Sequence, residues 1–269
     1  MAKIADILSL IKTFSPEENI QPDFPDNVGL LVGSDKGFTD KVIVCLDATE
    51  CVIDEAARED AKLVLAHHPV IFNPVYDISD KTPTGRTIIK AAAGGIAIYS
   101  AHTNVDFCDG GINDYNAELI GLTCIKPLEV QSGIAIGRVG ELKQPLTLKQ
   151  LTKTLREKFG DNYARYVGEG NEAVKRVAVI NGGAGKVEYV EKAIAAGADC
   201  YISADFPHHV LLFARESGIK LVHLQHYCME HIYINKWAEL LNGIAKRSGV
   251  KVEFTAAASE ANPTQTEAL

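Results

Sequence analysis

Short apolar runs alternate with stretches of helical period along most of the chain, and that alternation predicts the fold class. KVIVCLDA at 41–48 is an unbroken apolar run of strand length. From Thr49 onward, Val52, Ile53 and Ala56 fall at the spacing of one helical face. LVLAHH at 63–68 reads as a second strand, stopped by Pro69. A helix through TGRTIIKAAA crosses Gly94-Gly95 into a third strand, IAIYSAH at 96–102, and GGINDYNAELIGL supplies a turn and a short helix. This βαβαβ order calls for a parallel sheet with right-handed crossovers.

The second half repeats the style. LKQLTKTLREKF is helical, RVAVING is a strand, and KVEYVEKAIAAG is a helix closing on Gly197. CYISADF, HHVLLFARESG and IKLVHLQ read as strand, helix, strand, and MEHIYINKWAELLNGIAKR as a long amphipathic helix. The pattern therefore predicts two α/β lobes with a junction near Lys126-Pro127: residues 1–125 plus 222–258, and residues 126–221. The polar stretch 259–269 has no period and is expected to fray. Trp237, Leu240 and Leu241 on the last helix offer apolar surface either to the first lobe or to a neighbouring chain.

Composition narrows the function classes. The chain has 269 residues, 46% of them apolar, and a formal net charge of −8. That charge disfavours nucleic-acid binding, which needs clustered Lys and Arg. No run approaches the roughly 20 apolar residues of a membrane span. MAKIADILSLIKTF at the N-terminus reads as an amphipathic helix rather than a cleavable leader. The six cysteines form no CxxC pair, and half lie in apolar strand patterns, so a reducing cytoplasm is the expected compartment.

The eight histidines fall in four segments, 67–68, 102, 208–209 and 223–231, each at or just after the end of a strand pattern. The carboxyl ends of strands form the ligand crevice of α/β sheets. His67-His68-Pro69 ends the second strand, His102-Thr103-Asn104-Val105-Asp106 the third, and His226-Tyr227-Cys228-Met229-Glu230 opens the last helix. Imidazole and carboxylate are ligands for Zn²⁺ and similar ions. Adjacent strand residues point to opposite faces, but a Pro directly after His67-His68 breaks the pleat and lets both rings enter one site. His226 and Glu230, four apart, share a helical face. Each segment alone also has an ordinary structural reading: a strand end, an Asx-rich turn, a solvated ion pair. Their concurrence favours a metal site.

The same segments carry a family resemblance. Asp26-Asn27-Val28-Gly29-Leu30 with Gly33, then Asp47, LVLAHHPVIF, HTNVD, Gly111-Ile112-Asn113, NGGAG at 181–185, GADCYISAD and HYCME run nearly end to end in order. The chain thereby resembles the GTP cyclohydrolase 1 type 2 homologues, the Nif-three-like family, in its short form. Three departures are visible: Pro25 where that family usually has Trp, Ser203-Ala204 where it reads Thr-Gly, and Gln225 where Gly precedes the His. None removes a ligand.

The resemblance implies two similar α/β lobes with a dinuclear metal site between them at strand carboxyl ends. Carried over residue by residue, the ligands are His67, His68, Asp106, His226 and Glu230, for two divalent ions per chain drawn from zinc, iron, manganese or magnesium. Three imidazoles and two carboxylates suit two ions sharing bridges, and Asp106 and Glu230 are the expected bridges because only a carboxylate has two oxygens to share. Two ions about 3.5–4 Å apart stabilise both the attacking and the leaving atoms of a hydrolysis. His102, four residues before Asp106, is the candidate general acid/base, with a packed histidine at a strand end as the equal alternative. The implied function is hydrolysis of a small molecule such as a purine nucleotide or related cyclic amide. The alternative is a non-catalytic metal-binding or regulatory protein. A homohexameric ring built from dimers is also implied.

Two motifs are set aside. NGGAGK lacks the first Gly and the final Ser/Thr of a phosphate loop, with Ile180 and Val187 in those places, and reads as a tight strand-to-helix turn. His208 and His209 are expected to be rim or packing residues rather than ligands.

Overall fold

A computed structural model describes residues 1–22 and 24–265. In chain order the elements begin with β1 (Ala2–Lys3), α1 (Ile4–Phe14), β2 (Gly29–Val32), β3 (Phe38–Thr39), β4 (Lys41–Asp47), α2 (Glu50–Arg58) and β5 (Leu63–His68). They continue with α3 (Pro83–Ala93), β6 (Ala97–Ser100), α4 (Thr103–Phe107), α5 (Ile112–Ile120), β7 (Leu122–Gln131), β8 (Ile134–Thr147) and α6 (Leu148–Phe159). The remainder are β9 (Arg165–Val167), β10 (Ala173–Val179), α7 (Val187–Ala195), β11 (Cys200–Ser203), α8 (His208–Glu216), β12 (Lys220–His223), α9 (His226–Ser248) and β13 (Glu253–Ala256).

The chain divides into two compact units, residues 1–108 with 233–261, and residues 109–232 with 262–269. The expected boundaries at 125/126 and 221/222 lie elsewhere for a packing reason. Ala117 and Ile120 of α5 are buried in the apolar core of the second unit, with Leu151, Leu155 and Val177, so the division precedes that helix. Lys126-Pro127, expected as a junction, lies inside β7, the outermost strand of a sheet. An edge strand tolerates a Pro because its missing N–H faces no partner.

The first unit carries a five-stranded sheet in the order β13-β4-β5-β6-β2. β13, β4, β5 and β6 run parallel, and β2 closes the edge antiparallel to β6. Val42 to Leu46 are all buried, as a parallel strand covered on both faces requires. Thr49 caps α2 by accepting from Val52 N, and Thr82 caps α3 with Pro83 following, so both crossover helices start where the local sequence dictates. The register sets Asp47 opposite His68 and Ala66 opposite Ser100, which brings the carboxyl ends of three strands to one edge.

The second unit carries a six-stranded sheet, β7-β8-β10-β11-β12-β9. Its middle, β10-β11-β12, is parallel, whereas β7, β8 and β9 are antiparallel additions. A full capping box of Thr147 and Gln150 opens α6, and Gly160 at φ 63° closes it. Among the described residues Trp237 and Leu241 of α9 are fully buried by the chain itself. The tail is held rather than frayed as far as Gln265. Glu260 accepts from Leu46 N and Asp47 N at 3.0 and 2.8 Å, and Thr264 Oγ1 donates to Gln225 at 2.7 Å. The rest of that expectation, 266–269, lies outside the described residues.

Candidate functional site

Each unit gathers the expected ligands at the carboxyl ends of its parallel strands. In the first unit β5 ends on His67 and His68, and the chain after β6 turns at His102 into α4. The two adjacent rings do enter one cluster: their centroids are 4.9 Å apart, and His102 lies 5.2 Å from His67 and 5.8 Å from His68. Each of the three offers one ring nitrogen, and these atoms all lie within 4.8 Å of one another.

What fixes these rings was not visible in the histidine segments. His67 is fully buried and its Nδ1 meets Ala101 O at 3.1 Å. His68 Nδ1 meets Asp47 Oδ1 at 2.9 Å, and His102 Nδ1 meets Asp26 Oδ1 at 2.7 Å. An acceptor at Nδ1 sets the neutral tautomer and leaves the Nε2 lone pair for a cation. Asp106, on α4, stands with Oδ1 3.7 Å from His67 Nε2. Burial opposes ionisation of Asp26, but hydrogen bonds from His102 and Thr103 and the field of His102 outweigh it and hold the carboxyl below its usual range.

In the second unit His226 and Glu230 stand one turn apart on α9, with Nε2 2.9 Å from Oε2. Asp205, after β11, meets His226 Nδ1 at 2.6 Å. Asn181, after β10, donates from Nδ2 to Glu230 Oε1 at 3.0 Å. NGGAG is the tight turn expected, and it is also the wall of this half. Gly182 has φ +62°, and a Cβ there would collide with Glu230 Oε1 and lie 3.4 Å from His226 Nε2, so the position requires glycine. Burial of His226 disfavours its charge, yet Glu230 and Asp205 together push its pKa up to about 11. The hydrogen bond from His226 holds Asp205 below its usual range, against burial.

The donor chemistry fits divalent cations on both counts. Three imidazoles present ring nitrogens to one point with acceptors behind them, and one imidazole sits against two carboxylates that draw a positive charge to it. His208 and His209 are exposed at the start of α8. Asp26, Asp47 and Asp205 are the functional residues the histidine pattern missed; they stand in the motif segments DNVGL, KVIVCLDA and ISAD, each beside a ligand strand in the fold. None of the six cysteines is disulfide-bonded, and among the described residues no helix is long and apolar enough to cross a membrane.

A family model described as Duf34/NIF3 (NGG1p interacting factor 3) matches residues 2–263. A Clostridium acetobutylicum protein named GTP cyclohydrolase 1 type 2 homolog is 32% identical over 265 residues, covering 97% of each chain. A Clostridium perfringens protein of the same name is 33% identical over 264 residues, covering 97% of this chain and 98% of that one. The crystal structure of the Staphylococcus aureus protein SA1388 matches with a TM-score of 0.91 at 25% identity, over 98% of this chain and 99% of that one.

Proposed function

The chain belongs to the Duf34/NIF3 family, and we propose that it is a dinuclear metal-dependent hydrolase acting on a purine nucleotide or related cyclic amide. The observation that carries the reading is the cluster of His67, His68 and His102, whose ring nitrogens lie within 4.8 Å of one another. Each of the three rings has an acceptor at Nδ1, Ala101 O, Asp47 or Asp26, which turns its other nitrogen toward the cluster. In this reading His67, His68, Asp106, His226 and Glu230 would hold the two ions, and Asp106 and Glu230 would be the residues able to serve both, since only a carboxylate has two oxygens to share.

When bound, the ions supply Lewis-acid activation of water and of the scissile group. The protein's own residues do the rest. Ala101 O and Asp47 keep His67 and His68 in the tautomer that leaves Nε2 unprotonated, and Asp205 holds Nδ1–H of His226 so that a cation would replace the proton at its Nε2. His102, braced by Asp26 at Nδ1, would accept the proton of the attacking water at Nε2 and return it to the leaving atom of the substrate. As a hexameric ring in the cytoplasm the protein gives a light-scattering mass six times that of the chain.

The test is elemental analysis of protein purified without added metal, followed by a hydrolysis screen of nucleotides and cyclic amides. We expect two metals per chain in the wild type, fewer in Glu230→Ala, and no change in His209→Ala. Full occupancy in Glu230→Ala defeats the bridge. A two-metal protein that turns over none of the panel moves the function to non-catalytic metal binding or regulation.

A further inference from the structure

A pocket of about 540 Å³ opens in the second unit where β9 and β12 end. Tyr163, Arg165, His223, Leu224 and Gln225 line it, with Thr264 and Gln265 on the tail side. That volume is ordinary for a small-molecule site. Its walls are fixed. Gln225 donates from N and Nε2 to the two oxygens of the buried Asp161, at 2.7 and 3.0 Å, and its Oε1 accepts from Asn262 and Thr264 at 3.2 and 2.7 Å.

Most of the pocket's donors are engaged within the protein, the Tyr163 hydroxyl with Gln265 O among them, and the spare capacity lies on Arg165 and His223. β9 pairs antiparallel with β12 so that Arg165 stands opposite His223, and Arg165 Nε donates to His223 Nδ1 at 3.2 Å. Accepting there requires a lone pair on Nδ1, so the ring is neutral with its proton on Nε2. Burial and the Arg165 charge both favour that neutral ring by lowering the pKa of His223. Phe206 packs edge-on against it at 5.3 Å. Among the described residues neither Nη of Arg165 donates to a carboxylate or any other acceptor, and His223 Nε2 meets no acceptor. Tyr163, 44% exposed, and Leu224 add apolar surface.

We propose that this pocket binds a small aromatic or heteroaromatic carboxylate, its carboxylate on the Nη pair of Arg165 and its ring against Tyr163. A guanidinium fork matches a planar carboxylate with two parallel hydrogen bonds. Among the described residues the pocket lining holds one cation, Arg165, which suits a single negative charge and not a polyphosphate. The site uses no residue of the metal centre and stands whether or not that centre is catalytic.

Benzoate is the probe, titrated into the full chain as purified and followed by saturation-transfer NMR and by the His223 ring resonances. We expect saturable binding that shifts those resonances, weakened about tenfold or more in Arg165→Gln, as loss of a charge-assisted pair implies. Arg165→Lys, which keeps the charge but loses the fork, falls in between. Acetate and benzyl alcohol, each with one half of the chemistry, bind more weakly than benzoate. Arg165 lies on an exposed edge strand, and an unchanged thermal melt shows that its variants fold. Undiminished benzoate affinity in Arg165→Gln, absence of saturation, or preference for inorganic phosphate over benzoate each overturns the proposal.

Discussion

His102 and His226 each give Nδ1 to an aspartate, at 2.7 and 2.6 Å, yet the two aspartates are held in opposite ways. The Asp26 side chain is wholly buried and also accepts from the Thr103 backbone and hydroxyl. The Asp205 side chain is 56% exposed, in a left-handed backbone conformation at φ 51°. His226 gains its second constraint from Glu230 at its other nitrogen, 2.9 Å away. One ring is fixed by a carboxylate that cannot move, the other by standing between two charges. The first arrangement suits a group that must return to the same position after moving a proton. The second suits a ligand whose proton gives way to a cation.

The largest expected effect tests that division directly. His102→Ala should retain both metals and lose about 10²–10⁴-fold in hydrolysis rate, the usual contribution of a general acid or base. Elemental analysis and single-substrate kinetics on the same preparation decide it. Metal loss would make His102 a fourth imidazole ligand, in keeping with its place in the cluster, and unchanged turnover would leave it a packing residue.

Smaller effects separate the two braces. Asp26→Asn and Asp205→Asn should each cost about 10–100-fold, the first in rate and the second in metal affinity, as loss of an orienting partner does. Only Asp26→Asn should also lower the melting temperature, because it takes the charge from a buried carboxylate that accepts four hydrogen bonds, from His102, Asn27 N, Thr103 N and the Thr103 hydroxyl. Asp205→Asn, at an exposed position, should change stability by no more than about 0.5 kcal/mol. Equal destabilisation by the two would break the comparison.

Half of this arrangement is legible in the sequence, and the division follows physical range. The parallel strands at 41–47 and 63–68 read correctly because burial on both faces leaves unbroken apolar runs. α6 spans the predicted LKQLTKTLREKF because its cap, its apolar stripe and its closing glycine are all local. β7 was missed because most of its residues are partly or fully exposed and Pro127 lies within it, so no strand pattern survives at a sheet edge. The candidate ligands announce themselves as His-rich segments, whereas the carboxylates behind them do not. Asp26 lies 76 residues from His102 and Asp205 lies 21 from His226, distances that only the sheets close. Gly182 was read as a turn glycine; that its missing side chain makes room for Glu230 is a fact of packing.

A carboxylate brace away from any imidazole sets the baseline for the comparison and gives the smallest effect. Glu55 is 5% exposed and accepts from Ala258 N and Ser259 N, both at 2.8 Å, so it anchors the chain after β13. Burial works against its ionisation, but those hydrogen bonds prevail and hold it below its ordinary 4.5. A carboxyl whose pKa is lower folded than unfolded contributes stability that is present above the unfolded value and lost as pH falls through the folded one. Glu55→Gln keeps the shape and removes the charge, and should cost about 1 kcal/mol at neutral pH. Denaturant melts of both proteins should converge as the pH drops below 4.5, where the wild-type carboxyl takes up its proton. Metal content should be the same in the two proteins at each pH at which both are folded, falling alike as acid protonates the imidazoles. A difference that persists under acid would assign the Glu55 effect to packing, and a loss of metal would mean that the anchor after β13 reaches the centre as the two aspartates do.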